Sequence, residues 1–561
     1  MKNFRSKYIM ILFLGIFFVS CRKQFATMNT DPDAVLSIPP EYELTSGLLA
    51  MNSNTGENYW DYDRAIYYWA QSFSFQDAPR VTVYNGLGNL NVRTSNFYTN
   101  VGYQLVDVIH QIDKLSDSAK AKYVYLRAIT GIPLAYYAWY TSDVQGSIAY
   151  TQAFKARYTI PAFLTPQYDT QEALYDTLDN QLKAIVDILK SNQPVTQKDP
   201  GVNDVYYGGN VTNWIKAANS LRLKMAFRLM KQNPDKMKSI ATEVLADNIG
   251  VINDPSEDWT FIEGPNVNYG DDPTNNQAVS GAKNMVDFMW NTKDPRIRVF
   301  YKPAPLDKDR FDSAKAQGAL PASLAWDGQL YRGQYVNPDA SKNAALAYYF
   351  SPINFSYKGA AQSLDYASSI QIKLFYGLRD GGGGLVTFPL ITYADICFMR
   401  AELAVRQITA ENAQDWYTKG IEASLANYDA MAKAAALPDY TPLTPAEVTQ
   451  YEGQPGIAYD PANALEQILD QQYINYYKNQ NEAWALIKRT GYPGVNANLL
   501  KLETVLIDGV EQAMPRRFVV TYPSTTDLNY KNVVDAINAE QQNPDFSTPD
   551  DITGRVWWDK K

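Results

Sequence analysis

Apolar residues recur at three- and four-residue spacing along several stretches of this chain, and each stretch predicts a helix with one buried face. Leu174, Leu178, Leu182, Ile185 and Leu189 form the clearest stripe. Asp169-Thr-Gln-Glu172 precedes it, with Asp169 placed to cap the first amides and Glu172 to reach back. Residues 213–231 repeat the pattern, with Trp214, Ala217, Leu221, Met225 and Leu229 inside. Arg222, Lys224, Arg228 and Lys231 gather toward the C-terminal half of that run, where cations suit the helix dipole, and Asn233-Pro234 ends it. Residues 390–435 predict a helix pair, small residues (Ala394, Cys397, Ala401, Ala404) facing the bulk of Trp416, Ile421 and Leu425. Residues 463–489 follow the same logic, with Leu465, Ile468, Gln472, Tyr473, Trp484 and Ile487. Between about 251 and 387 the period fades into Gly, Pro, Asn, Asp and Tyr, which predicts an irregular region of long loops.

The N-terminus obeys a different rule. Lys2, Arg5 and Lys7 precede an apolar run from Tyr8 to Val19, and Ser20-Cys21 follows it. Such a run is shorter than the roughly 20 residues needed to span a bilayer, so it reads as a secretory signal. A small residue before a cysteine at its end is the pattern of a lipoprotein signal. Residues 1–20 are expected to be removed, Cys21 to carry the acyl chains, and residues 21–40, with Asn29-Thr-Asp-Pro-Asp33 and Pro39-Pro40, to form a tether. The folded body is then expected from Glu41 to the end, at 41–561.

Composition narrows the chemistry. The only other cysteine, Cys397, can form no disulfide within the mature chain and is read as a packed small hydrophobe. The mature chain holds 48 Lys and Arg against 60 Asp and Glu, a formal charge of −12, which opposes nucleic-acid binding and gives no reason to expect electrostatic docking on anionic lipid. The membrane is therefore met through the lipid anchor only. The single histidine, His110, sits beside the Leu105, Ile109 and Ile112 stripe and is read as a boundary residue. With one imidazole, zinc sites and Ser-His or Cys-His nucleophile systems are excluded, and no cofactor is expected.

Several segments in order along the chain resemble the SusD/RagB family of outer-membrane lipoproteins, in its SusD-like type 2 branch. They are Asn29-Thr-Asp-Pro-Asp33, Ser142-Asp-Val-Gln-Gly146 with its continuation to Ala153, Leu164-Thr-Pro-Gln-Tyr168, Val205-Tyr-Tyr-Gly-Gly-Asn-Val-Thr-Asn-Trp214, Ala218-Asn-Ser-Leu-Arg222, Tyr393-Ala-Asp-Ile-Cys397, Asn481-Glu-Ala-Trp484 through Pro493, Pro515-Arg-Arg-Phe518 and Arg555-Val-Trp-Trp-Asp559. The second lacks the Pro and Glu of the family's pattern at that place. The resemblance implies a mostly α fold, tetratricopeptide-like helix pairs as scaffold with a long irregular loop face. It also implies a cell-surface position on the outer membrane and a SusC-like TonB-dependent transporter as partner, with a glycan or peptide as ligand. Ala218-Asn219-Ser220 and Arg489-Thr490-Gly491 are read as architectural.

Holding a polar oligomer in water needs flat apolar faces and a few polar groups, and aromatic rings supply the faces. The chain has 41 Tyr, 22 Phe and 11 Trp, more than a core of this size requires. Those in Gly- and Asn-rich surroundings are the ligand candidates: Tyr269, Trp326, Tyr331, Tyr335 and Tyr357 in the irregular region, and Trp60 and Tyr84, with Tyr59 and Tyr62, in the early aromatic stretch. A glycoside hydrolase would need two carboxylates, for which Asp271-Asp272, Asp254 and Glu257 are the candidates, but acids in such loops are ordinarily turn formers. No EF-hand spacing marks a Ca²⁺ site, and Arg379-Asp-Gly-Gly-Gly-Gly384 lacks the Lys-Ser/Thr ending of a phosphate loop. The chain is therefore expected to bind and not to catalyse. A structural or adhesive surface lipoprotein is the second reading.

Overall fold

The structure, a computed structural model, describes residues 38–52, 57–75, 81, 84, 91–264 and 279–561, without the side chains of residues 59, 63 and 64. Cys21, most of the tether, Tyr269 and Asp271-Asp272 lie outside the described residues.

The chain is mostly α-helical. Its scaffold begins with α1 (Pro40–Ala50), α2 (Gly102–Asp113), α3 (Val124–Gln145), α4 (Gln171–Lys190), α5 (Val211–Arg228) and α6 (Pro234–Ala246), and each packs on the next. After α7 (Lys283–Asn291) and α8 (Lys308–Ala316) it resumes with α9 (Tyr393–Val405), α10 (Ala413–Ala434), α11 (Ala464–Asn475) and α12 (Gln480–Thr490). This neighbour-on-neighbour stacking of helix pairs is tetratricopeptide-like. In the α9–α10 pair, Cys397 and Ala401 are fully buried, and Gly420 leaves room for Phe398, whose ring would lie 2.6 Å from a Cβ there.

Three local expectations are revised. Helix α4 is capped by Thr170, whose side chain accepts from Ala173 N; Asp169 instead accepts from the amides of Tyr150 and Thr151 and fixes the preceding turn. The cations of α5 are not a solvated complement to its dipole. Arg228 donates to Asp143 and Glu482, Lys224 lies between Asp395 and Glu482, and Arg222 donates to Asp179, all buried. The stretch 251–387 is also less irregular than its composition predicts, because α7 carries a short apolar stripe of Met285, Val286 and Met289 into the core.

The strands pair two by two and antiparallel: β1 (Phe73–Phe75) with β3 (Val279–Gly281), β2 (Trp259–Glu263) with β6 (Val386–Ile391), β4 (Ile353–Tyr357) with β5 (Ala360–Leu364), and β7 (Leu506–Ile507) with β8 (Val510–Glu511). Two-stranded ribbons are marginal alone, so each depends on what it packs against. The β4–β5 hairpin turns through Lys358 and Gly359, both at positive φ as a tight two-residue loop requires, and lies on α8. Together they enclose a satellite core of Leu306, Phe311, Ala314, Leu320, Ile353, Phe355 and Tyr366. His110 is half-buried and stacks on Tyr158 at 3.6 Å between centroids.

Candidate ligand-binding groove

The sequence-selected aromatics fall into distinct environments. Tyr84 is buried edge-on against Trp69, and its hydroxyl donates to the Val336 carbonyl at 3.0 Å. Tyr331 is buried against Trp290. Trp326 is half-buried, edge-on to Phe311 at 5.3 Å, with the Arg332 guanidinium 4.6 Å from its ring centre. Tyr357 ends β4 between the cations of Arg310 and Lys358. Trp60, 43% exposed, sits on the π-helical turn Asn58–Ile66, and Tyr62 accepts from Arg93 on the same turn. Tyr335 is half-buried beside Tyr349, with the Lys283 ammonium 5.8 Å from its ring centre. The fold thus gathers Tyr84 and Tyr335 at one place and Trp326 and Tyr357 in the satellite core.

Tyr335 and Lys283 stand beside a groove of about 640 Å³, walled by Lys283, Asn284, Asp287 and Asn291 of α7 and by Asn498, Lys501 and Glu503 of the segment opposite. Each wall is held from behind. Two carboxylates on one face of α11 grip the 498–500 turn: Glu466 accepts from the amides of Asn498 (2.5 Å) and Leu499 (2.7 Å), and Asp470 from Leu500 (3.3 Å). The Gln71 side chain brackets the Glu503 backbone, donating to its carbonyl and accepting from its amide, both at 2.7 Å. Glu503 Oε2 in turn accepts from the amides of Val336 and Asn337, each at 3.0 Å. On the other wall, Lys283 N donates to the Gln334 carbonyl at 2.8 Å. Gly333 permits that approach, since a Cβ there would lie 2.3 Å from the Lys283 Cα.

The electrostatics are mixed and local. Lys283 pairs with Asp287 one helical turn on. Burial pushes the Glu503 carboxyl above its ordinary value, against the pull of the two amides and Lys283. Burial likewise raises the Tyr335 phenol, so the ring presents a neutral hydroxyl. A second hollow of about 470 Å³, walled by Trp69, Tyr492, Leu502 and Met514, shares Glu503 with the groove. An open groove walled by Lys283, Lys501 and Asp287, next to a phenol ring, can meet a ligand rich in hydroxyls or amides.

The sequence named Tyr335 as a candidate and did not point to the groove-lining Lys283, Asn284, Asp287, Asn498, Lys501 and Glu503. The available signal was the short stripe of α7, which places Lys283 and Asp287 one turn apart on a common face. The acids weighed for hydrolysis that lie among the described residues have structural partners: Asp254 accepts from Ser256, and Glu257 accepts from Lys216 and from the Asn253 amide. Trp326→Ala is expected to loosen the satellite core by about 2 kcal/mol, below the figure for a fully buried Trp. Faster hydrogen exchange across β4–β5 checks it, with exchange in α9–α12 unchanged.

The SusD-like type 2 family, described as starch-binding and associating with the outer membrane, matches residues 33–323 and 331–523. Among solved structures, a chitin-binding protein is 21% identical, with 93% of this chain and 100% of that chain covered at a TM-score of 0.69. A Bacteroidetes SusD-like protein, AC2a, is 23% identical, with 93% and 100% covered and a TM-score of 0.66. A chitin-binding SusD homolog from Flavobacterium johnsoniae is 19% identical, with 92% and 98% covered and a TM-score of 0.63. These likenesses establish a shared fold. No curated protein sequence is significantly similar to the chain. The family match spans most of the chain, and the protein belongs to the SusD-like family.

Proposed function

We propose that this protein is a lipid-anchored binding protein of the outer membrane, which captures a glycan or other polar oligomer at the cell surface and passes it to a SusC-like TonB-dependent transporter. The observation that carries the capture step is the open groove between α7 and residues 498–503, with the Tyr335 ring next to its Lys283 wall. Chitin-binding relatives of the same fold support a glycan, and the family's association with the outer membrane supports the location. Among the described residues no helix is long and apolar enough to cross a membrane. Under this reading the Cys21 lipid provides the attachment.

The test is calorimetric titration of the protein truncated after Cys21 with chitohexaose, maltoheptaose and a mixed tetrapeptide. One glycan is expected to bind without being cleaved. Tyr335→Ala is expected to weaken it roughly ten-fold, about 1.4 kcal/mol, with folding stability retained. Binding that ignores Tyr335→Ala removes the groove from the reading, and release of shorter products removes the reading itself. Co-purification of a large barrel protein from detergent-solubilised membranes tests the transfer step.

A further inference from the structure

Glu503 stands where three remote parts of the chain meet at the groove. Its backbone is bracketed by Gln71, which lies 432 residues earlier, and its carboxylate accepts from the amides that follow Tyr335. The Tyr335 segment has other ties: Ser74 Oγ donates to the Tyr335 carbonyl at 2.6 Å and Tyr84 Oη to that of Val336. Those bonds satisfy carbonyls on the segment. The amides of Val336 and Asn337 look to Glu503 Oε2, and bonds to an ionised acceptor are roughly twice as strong as neutral ones. Loss of the negative charge therefore weakens two bonds at once, at the point where the ring-bearing segment joins the groove wall.

We propose that Glu503 is the positioning residue of the groove: its ionised carboxylate holds the Tyr335 segment in its ligand-ready place, and proton uptake at Glu503 slackens that segment and releases the ligand. The inference rests on the capture reading and adds its regulation. The charged and titratable groups facing Glu503 are Lys283 and Asp287 of α7, Tyr84 beneath the segment and Tyr335 itself. Lys283 favours the ionised form, while Asp287 and the surrounding burial oppose it. The carboxyl is accordingly raised, so it takes up its proton at a higher pH than an exposed glutamate would. The amide pair sets the sign: with its backbone held by Gln71, Glu503 without those two bonds would stand higher still, so proton uptake favours the slackened segment and affinity is lost as pH falls.

Two measurements on the protein truncated after Cys21 test this. Without ligand, hydrogen exchange at pH 7.5 in peptides covering 334–339 is expected to rise ten-fold or more in Glu503→Ala, which removes both bonds. A few-fold rise is expected in Glu503→Gln, which keeps the oxygen and loses the charge, and none in Asp287→Asn. With chitohexaose and maltoheptaose as probes, wild-type affinity is expected to drop at least five-fold from pH 7.5 to 4.0. Glu503→Gln should be weaker at pH 7.5 and flat across that range. Unchanged exchange in Glu503→Ala overturns the positioning role. Binding that is indifferent to both pH and Glu503→Gln overturns the release step and leaves capture standing, whereas failure of both probes to bind at any pH overturns capture by glycan and the release step with it.

Discussion

Arg228→Met is expected to lower folding stability by about 3–5 kcal/mol, because it strands two buried carboxylates at once. Arg228 donates through Nε to Asp143 at 2.9 Å and through Nη2 to Glu482 at 2.8 Å, and all three side chains are almost wholly buried. Burying a charge costs several kcal/mol unless a partner stands beside it, so the penalty comes from what is left behind more than from the bonds lost. Lys224 cannot take over, since it lies 3.5 Å from Glu482 and is shared with Asp395. Adding Asp143→Asn to Arg228→Met should recover part of the loss by removing one stranded charge. A coupling above about 1 kcal/mol in urea-denaturation midpoints would show that the pair acts as a unit. An Arg228→Met loss below 1 kcal/mol would mean that water reaches the site and that the network is not closed.

That network also explains why one part of the chain was legible in sequence and another was not. The stripe of α4 is a local pattern, and Leu174, Leu178 and Leu182 are all buried where the spacing places them. The cations of α5 look in sequence like an ordinary C-terminal cluster, because their acids lie far away: Asp143 is 85 residues from Arg228 and Glu482 is 254. Local periodicity carries no information about such partners. The same holds for the groove, whose walls come from α7 and from 498–503, the latter held from behind by Gln71. Aromatic richness singled out Tyr335, whose ring stands next to Lys283, along with rings that pack elsewhere. It could not separate a ring beside a groove from rings such as Tyr84 and Tyr331, which pack their own surroundings. Short elements inside a Gly- and Asn-rich stretch are the hardest case, since α7 spans only 9 residues and offers about two and a half turns of period.

Lys488 is expected to make the protein gain about 2 kcal/mol of stability between pH 7 and pH 9 relative to Lys488→Met. Its Nζ donates to the Arg516 carbonyl at 3.1 Å, fully enclosed, and burial, with Arg516 and Arg228 nearby, pushes it from the ordinary 10.5 down to about 7. Between those two values the unfolded chain holds a proton that the folded protein does not. Unfolding is then harder as pH rises through this window, and the gain is lost as pH falls back toward 7. The faces of Trp484 at 3.7 Å and Trp558 at 4.9 Å favour the ammonium and offset part of the effect. Two acids act in the opposite sense: Asp61 and Asp258, each pushed up to about 8 chiefly by burial, make folding favour the protonated form below that pH. Subtracting the variant's pH profile from the wild type's cancels them, and stopping at pH 9 avoids the ionisation of tyrosines in the unfolded chain. Parallel profiles for the two proteins would mean that the indole faces keep Lys488 charged within the fold, and that the end of α12 carries a cation among Trp484, Trp558 and Arg516 in place of a neutral amine.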